Sequence, residues 1–305
     1  MPDISIVTAT YNRSNVLRHA IGSVLRQSCT DWELIVVSDG CTDDTASVVA
    51  SFADPRIRFV HLPHNHGEQS VPNNEGVRHA SGRLLAFLNH DDLWFSDHLA
   101  TLAGALDRTG ADLAYGLSAR IDADGHPHLW GNSPGGRYEA WHPVPASIWL
   151  MRRDLFARVG PWTSAAALWD APSQDWLRRA HAAGARLAPV PRLTAVQITS
   201  GARRGSYSER HESEHLAMVE AMRDESQCRE RLLTDIAAHA SSLTTALRPG
   251  VLAVRTCRAL LARLCVGVGI PPAALENVLR FGRKGAFIRH LRRTRGLTPS
   301  IGIRV

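Results

Sequence analysis

Leu84-Leu-Ala-Phe-Leu-Asn-His-Asp-Asp-Leu-Trp94 runs an apolar strand, Leu84 to Leu88, straight into two adjacent carboxylates, Asp91 and Asp92. Paired acids at the C-terminal end of a buried strand carry a high electrostatic cost unless something cationic meets them. A divalent cation carrying a diphosphate answers that need, because hard oxygen ligands suit Mg²⁺ or Mn²⁺. The competing reading has one acid capping the following helix, Phe95 to Leu106, with the other solvated.

Upstream, strand and helix alternate. Ile4, Ile6 and Val7 form a short strand that runs into Thr8-Ala-Thr-Tyr-Asn-Arg13. Ser14 suits the N-cap of a helix with Val16, Leu17, Ala20, Ile21, Val24 and Leu25 at helical spacing. Trp32 to Val37 is a second strand, and its Leu34-Ile-Val-Val37 run suits a parallel strand covered on both faces. It ends at Ser38-Asp39-Gly40-Cys-Thr42, which turns into a helix through Phe52. Ile57 to Leu62 is a third strand, and a polar loop, His64 to Ser70, leads to a helix ending near Ser81-Gly82. This pattern predicts a doubly wound parallel sheet, whose ligands bind at the C-terminal strand ends. The Thr8 to Arg13 loop, Asp39 and the two acids all sit at such ends.

Downstream the rhythm changes. Asp112 to Ile121 reads as a strand with a hairpin turn at Asp122-Ala-Asp-Gly125. Ser147 to Met151 is a strand, Arg153 to Val159 a helix and Ser173 to Ala183 another; Arg186 to Val190 and Leu193 to Ile198 are strands around Pro191. This half carries tryptophans at 130, 141, 149, 162, 169 and 176, which suit core packing or stacking on a sugar face. From Ser208 to Leu247 the pattern is one long polar helix; shorter basic, amphipathic helices follow at Ala273 to Phe281 and Ala286 to Arg293.

With 305 residues, 44% hydrophobic and 21% charged, the chain is ordinary for a globular protein. Its five cysteines form no C-x-x-C pair, which argues against a zinc site or a disulfide framework and suits a reducing cytoplasm. Neither a signal-peptide pattern nor an uncharged apolar stretch of the ~18 residues needed to span a bilayer is present. The net charge of +6 is uneven: residues 248–305 hold eleven Arg, Lys284 and a single acid, Glu276. A basic tail implies an anionic partner. Its Leu, Val, Phe and Ile in helical phase with Arg favour an anionic membrane surface over nucleic acid, for which no motif is present. Packing of its apolar faces on the body is the alternative.

Taken together, Thr8-Ala-Thr-Tyr-Asn-Arg13, Ser38-Asp39-Gly40-Cys-Thr-Asp43 and Asn89-His-Asp-Asp92 make residues 3 to 200 resemble family 2 glycosyltransferases, inverting enzymes of the GT-A fold. Ser38 and Asn89 stand where that family has acids, and Asn73 where an Arg commonly precedes Asn74. The resemblance implies a Rossmann-like α/β domain, mostly parallel and continuing into a mixed sheet. It would span residues 1–205 (a nucleotide half to 110, an acceptor half after it), with a helical, basic extension over 206–305. It further implies a nucleotide-sugar donor (UDP-, dTDP- or GDP-linked), a glycan or lipid-linked acceptor and a divalent cation (Mn²⁺ or Mg²⁺). Tyr11 would stack on the base, lined by Thr8, Ala9 and Thr10, with Arg13 and Asn74 nearby. Asp39 would accept from a base N–H, Asp91 would face the donor and Asp92 would ligate the metal. Ser173-Gln-Asp-Trp-Leu177 matches the family's helix-opening acidic motif, which makes Asp175 the expected general base. Arg203-Arg204 would add phosphate contacts or form a linker. The expected location is cytoplasmic, peripheral at the inner face of the plasma membrane. A non-catalytic nucleotide-sugar-binding or membrane-associated scaffold of the same fold is the alternative. His211-Glu-Ser-Glu-His215 matches H-E-x-x-H but sits on a solvated face without an evident third ligand.

Overall fold

A computed structural model describes residues 2–122, 125–140, 142–199, 205–245 and 279–297, together with 253, 256, 257, 260, 261, 263–265 and 277. Among them, nine strands form one sheet. Its parallel half is β1 (Ile4–Thr10), β2 (Trp32–Asp39), β3 (Ile57–Leu62) and β4 (Leu84–Phe87), in the order β3-β2-β1-β4. The continuous apolar runs explain it, for every residue of β2 and β4 is buried. Three helices cover these strands: α1 (Ser14–Leu25), α2 (Thr45–Ala50) and α3 (Ser70–His79). On α3, a Cβ at Gly76 would collide with Val7, so only glycine lets this helix lie so close to β1.

The mixed half follows β4. It contains β5 (Asp92–Trp94), β6 (Leu113–Ile121), β7 (Pro127–Trp130), β8 (Trp149–Arg152) and β9 (Leu187–Ile198), in the order β4-β8-β6-β9-β5 with β7 beside β6. The two strands expected around Pro191 are one: β9 runs parallel to β6, and the register slips between Tyr115↔Pro189 and Leu117↔Leu193. That slip accommodates Pro191, which has no N–H to give the ladder. The helix expected from Phe95 starts later, as α4 (His98–Thr109), because Asp92 to Trp94 pair antiparallel with β9 first. Two further helices, α5 (Arg153–Val159) and α6 (Pro172–Ala182), pack on this half.

The long polar helix expected from Ser208 is three helices, α7 (Ser206–Glu209), α8 (Ser213–Ala221) and α9 (Glu225–Thr245). They are not a separate body. Met222, Cys228 and Leu232 close a second apolar core with Leu93, Phe95, Val196 and Ile198. Glu225 accepts from the backbone N–H and hydroxyl of Ser96, at 2.7 and 2.9 Å. A last helix, α10 (Ala286–Thr294), returns to the C-terminal edge of the parallel strands.

Of the five tryptophans in the mixed half that are described, Trp149, Trp162 and Trp176 are core, whereas Trp130 and Trp169 are partly exposed; Trp141 lies outside the described residues. A buried titratable group accompanies them at the head of α4, where His98 is 0% exposed and stacks on Trp94 with ring centroids 4.2 Å apart. Burial holds its imidazole neutral, pushing its pKa down to about 3. In the unfolded chain the same group protonates near 6.5. Below that pH the unfolded state binds the extra proton, so stability falls by about 1.4 kcal/mol per pH unit from this residue alone. The loss should run from about 6.5 down toward the folded value. His98→Phe keeps an aromatic ring on Trp94 and should flatten this limb. Equal slopes of unfolding free energy between pH 6.5 and 4 in the two proteins would contradict it.

Candidate active site

A cavity of about 290 Å³ opens at the C-terminal ends of β1, β2 and β4. Its floor comes from the three loops that the sequence places there: Ala9, Thr10 and Tyr11 after β1, Asp39 at the end of β2, and Asn89, His90 and Asp91 after β4. Thr8 and Arg13 are buried beside these loops and do not line the cavity.

Asp39 is held by the loop after β3. Its carboxylate accepts from the Asn65 side-chain amide at 3.0 Å, the His66 backbone N–H at 3.0 Å and the Gly67 N–H at 3.2 Å. The His66 Nδ1 lies 2.8 Å away. Gly40 makes this closeness possible: its φ is +69°, and a Cβ would stand 2.6 Å from the Asn65 nitrogen.

The two acids part company. Asp92 is 3% exposed, and its Oδ2 accepts from Ser147 Oγ at 2.5 Å, Asn89 Nδ2 at 2.9 Å and Gln197 Nε2 at 3.3 Å. Burial, with the charge of Asp91 beside it, pushes the Asp92 carboxyl up to about 7. It is a rivet between β5, β9 and the turn before β8, and does not line the cavity. Asp92, expected to ligate a metal, spends one carboxylate oxygen on three internal donors and stands off the cavity lining. Asp91 is the acid on the cavity wall. Burial would raise its carboxyl, but His90, Arg13, His215 and Arg295 around it bring the net shift below the ordinary value. It therefore stands ionised, facing the space where a cation would sit.

His215, the second histidine of the H-E-x-x-H stretch, is buried with its Nε2 3.0 Å from the Asp91 carbonyl oxygen. The first, His211, is exposed with its Nε2 2.7 Å from Glu209. One histidine thus braces the loop bearing Asp91 and the other points to solvent. Asn74, expected near the donor, instead clasps the backbone of Trp162: its Nδ2 donates to the carbonyl at 3.0 Å and its Oδ1 accepts from the N–H at 2.8 Å. That clasp ties α3 to the mixed half of the sheet.

Asp175 lies in the first turn of α6 and pairs with Arg179 at 3.0 Å, one helical turn on. Arg179 is in turn fixed by the carbonyls of Val159 and Pro161, at 2.9 and 2.8 Å. Asp175 does not line the cavity; Asp170, five residues earlier, does, beside Trp169 and Ala171. Asp170 pairs with Arg178 at 2.7 Å. Neither Asp170 nor Trp169 had been singled out as a site residue. The signal that could have found Asp170 is its place before the helix, since α6 opens at Pro172, behind the motif's nominal start. Tyr207, also missed, lines the cavity with its ring 6.2 Å from that of Tyr11. Arg203 and Arg204 lie outside the described residues.

Residues 5–159 match the family model described as Glycosyl transferase family 2. The chain belongs to that family. Among family 2 relatives, 113 residues are 32% identical to the Escherichia coli UDP-Glc:alpha-D-GlcNAc-diphosphoundecaprenol beta-1,3-glucosyltransferase WfgD, covering 37% of this chain and 44% of that one. A stretch of 125 residues is 34% identical to the succinoglycan biosynthesis protein ExoO of Rhizobium meliloti, covering 41% and 36%. Matches therefore span less than half the length of these relatives. Solved structures bear out the GT-A fold. TarS of S. aureus in complex with UDP-GlcNAc superposes with a TM-score of 0.56 at 18% identity, covering 64% of this chain and 58% of that one. The mannosyltransferase PcManGT of Pyrobaculum calidifontis, in complex with GDP-Man and Mn²⁺, gives 0.54 at 18%, covering 96% and 87%.

Proposed function

We propose that this family 2 protein transfers a sugar from a nucleotide-sugar donor to a glycan or lipid-linked acceptor, with inversion at the transferred carbon. The observation that carries the reading is the convergence of Tyr11, Asp39 and Asp91 on one cavity at the C-terminal edge of a parallel sheet. Tyr11 and Tyr207 offer ring faces to a nucleobase, and Asp39 stands beside them as an acceptor. Trp169 offers an apolar face on the opposite side, where a sugar ring would stack.

The donor set fits a divalent cation of the Mg²⁺ or Mn²⁺ type. The ionised Asp91 carboxylate lines the cavity, and such ions bind through one or two carboxylates, completing their shell with phosphate and water. No cluster of three or more His, Cys, Asp or Glu side chains competes for it among the described residues. When bound, the cation would neutralise charge growing on the departing nucleoside diphosphate. The chain itself must take the proton from the acceptor hydroxyl as its oxygen bonds the sugar carbon and the diphosphate oxygen leaves. Asp170 is a carboxylate on the cavity wall beside Trp169, and we assign it that task in place of Asp175.

Residues 1–205 would carry the chemistry. No helix among the described residues is long and apolar enough to cross a membrane. WfgD bears a diphosphoundecaprenol acceptor in its name, and a lipid-linked acceptor would bring this chain to a membrane surface. The reading is tested by incubating the protein with UDP-, dTDP- and GDP-sugars in Mn²⁺ or Mg²⁺ and measuring release of nucleoside diphosphate. Release from one donor class, abolished by a chelator, is expected. Neither turnover nor binding of any donor would sink it.

A further inference from the structure

The cavity is lined by four carboxylates, those of Asp39, Glu68, Asp91 and Asp170. A nucleoside diphosphate brings two or more further negative charges to such a site. One divalent cation leaves this balance negative, so cationic side chains are needed on the wall. Among the described lining residues the permanently charged cations are Arg292 and Arg295, and both come from the basic C-terminal segment. Part of the tail expected to lie on a membrane therefore faces inward instead.

The segment is seated firmly. The Gly285 N–H donates to the Leu168 carbonyl at 2.9 Å, and Asn277 donates to the Trp169 carbonyl. At the far end, the Gly205 N–H donates to the Thr294 carbonyl at 3.2 Å. Gly285 takes a φ of +67°, and a Cβ there would stand 2.9 Å from Ala166 Cα. That tight approach starts α10 directly above the cavity, where Phe287, Ile288 and Leu291 supply apolar lining. Arg292 is 5% exposed and donates to Asn65 Oδ1 at 3.0 Å; the amide of Asn65 donates to Asp39. The helix is thus linked to the Asp39 end. Arg295 lies with its guanidinium carbon 6.0 Å from the Tyr207 ring centre, close enough for its charge to act on His90 and Asp91.

We propose that α10 is a cationic roof over the donor cavity. Arg295 binds the diphosphate opposite Asp91, and Arg292 holds the helix to the loop that braces Asp39 while adding its own charge. The proposal rests on the nucleotide-sugar reading above. It makes the C-terminal segment part of the binding site.

The test uses the full chain and titrates UDP, dTDP and GDP, the matching nucleosides and inorganic pyrophosphate by calorimetry. Arg295→Gln should weaken the bound diphosphate about 10–100-fold, as expected for loss of a charge-assisted contact, and leave its nucleoside within about twofold. Arg295→Lys should recover part of the loss, and its unfolding temperature should match that of the wild type. Arg292→Gln should weaken nucleoside and diphosphate together, because it loosens the roof at the base end. If the wild type binds a diphosphate and Arg295→Gln binds it equally well, the roof is wrong and the donor reading stands. If the wild type binds none of these diphosphates, the donor reading itself is overturned and the roof with it.

Discussion

Asp91→Asn should lower kcat/KM for sugar transfer about 10³-fold, or about 4 kcal/mol of transition-state stabilisation. The substitution keeps shape and removes charge at the one cavity-facing acid of the pair. Because the carboxyl is already held below its ordinary value, the wild-type group is fully charged at neutral pH, and the variant loses that charge outright. Dependence on Mn²⁺ or Mg²⁺ should weaken in step, with saturation moving to higher metal concentration. Asp92→Asn should behave differently. The three donors to Asp92 share one oxygen, which the amide oxygen can replace, so the variant exchanges only the buried Oδ1 for an NH₂ and any cost should fall on folding. Unfolding temperature and metal titration, measured for both variants, separate the roles. A metal-dependence defect confined to Asp92→Asn would reverse the assignment.

Asp170→Asn should cut transfer by about 10²–10⁴-fold, the range a general base supplies, with nucleotide affinity unchanged. Asp175→Asn should leave transfer within a few-fold of wild type. It breaks a partly exposed pair with Arg179, one turn away, whose loss typically costs less than about 1 kcal/mol. The contrast is informative because the two acids sit five residues apart, at the entrance and in the first turn of α6. Transfer kinetics with saturating acceptor, alongside nucleotide binding, decide between them. Abolished transfer in Asp175→Asn with a normal Asp170→Asn would restore the sequence-based assignment.

Much of the fold was legible because β2 and β4 carry continuous apolar runs, a pattern that buried parallel strands demand. Strand β5 was not, since Asp92-Leu-Trp94 is three residues long and begins with an acid. The same shortness hid the division between Asp91 and Asp92. Asp91 ends a turn and Asp92 opens β5, so one acid lines the cavity and the other is buried in the sheet. Which one is settled only by the positions of Ser147 and Gln197, far along the chain. Asp175 was drawn from a motif, and its partner Arg179 at helical spacing was in plain view as the competing structural explanation. The tail was legible only as a charge count that points to an anion; the burial of Arg292 against the body is a placement that composition alone does not encode.

The docking of residues 279–297 across the mouth of the cavity also constrains how the protein is made. The strands that carry Tyr11, Asp39 and Asp91 leave the ribosome before that segment, although β4 must wait for β8 to pair its other edge. The helix that covers them emerges some 200 residues later, about 10–40 s at ~5–20 residues per second. Through that interval the nascent chain would expose an acidic, unroofed cleft.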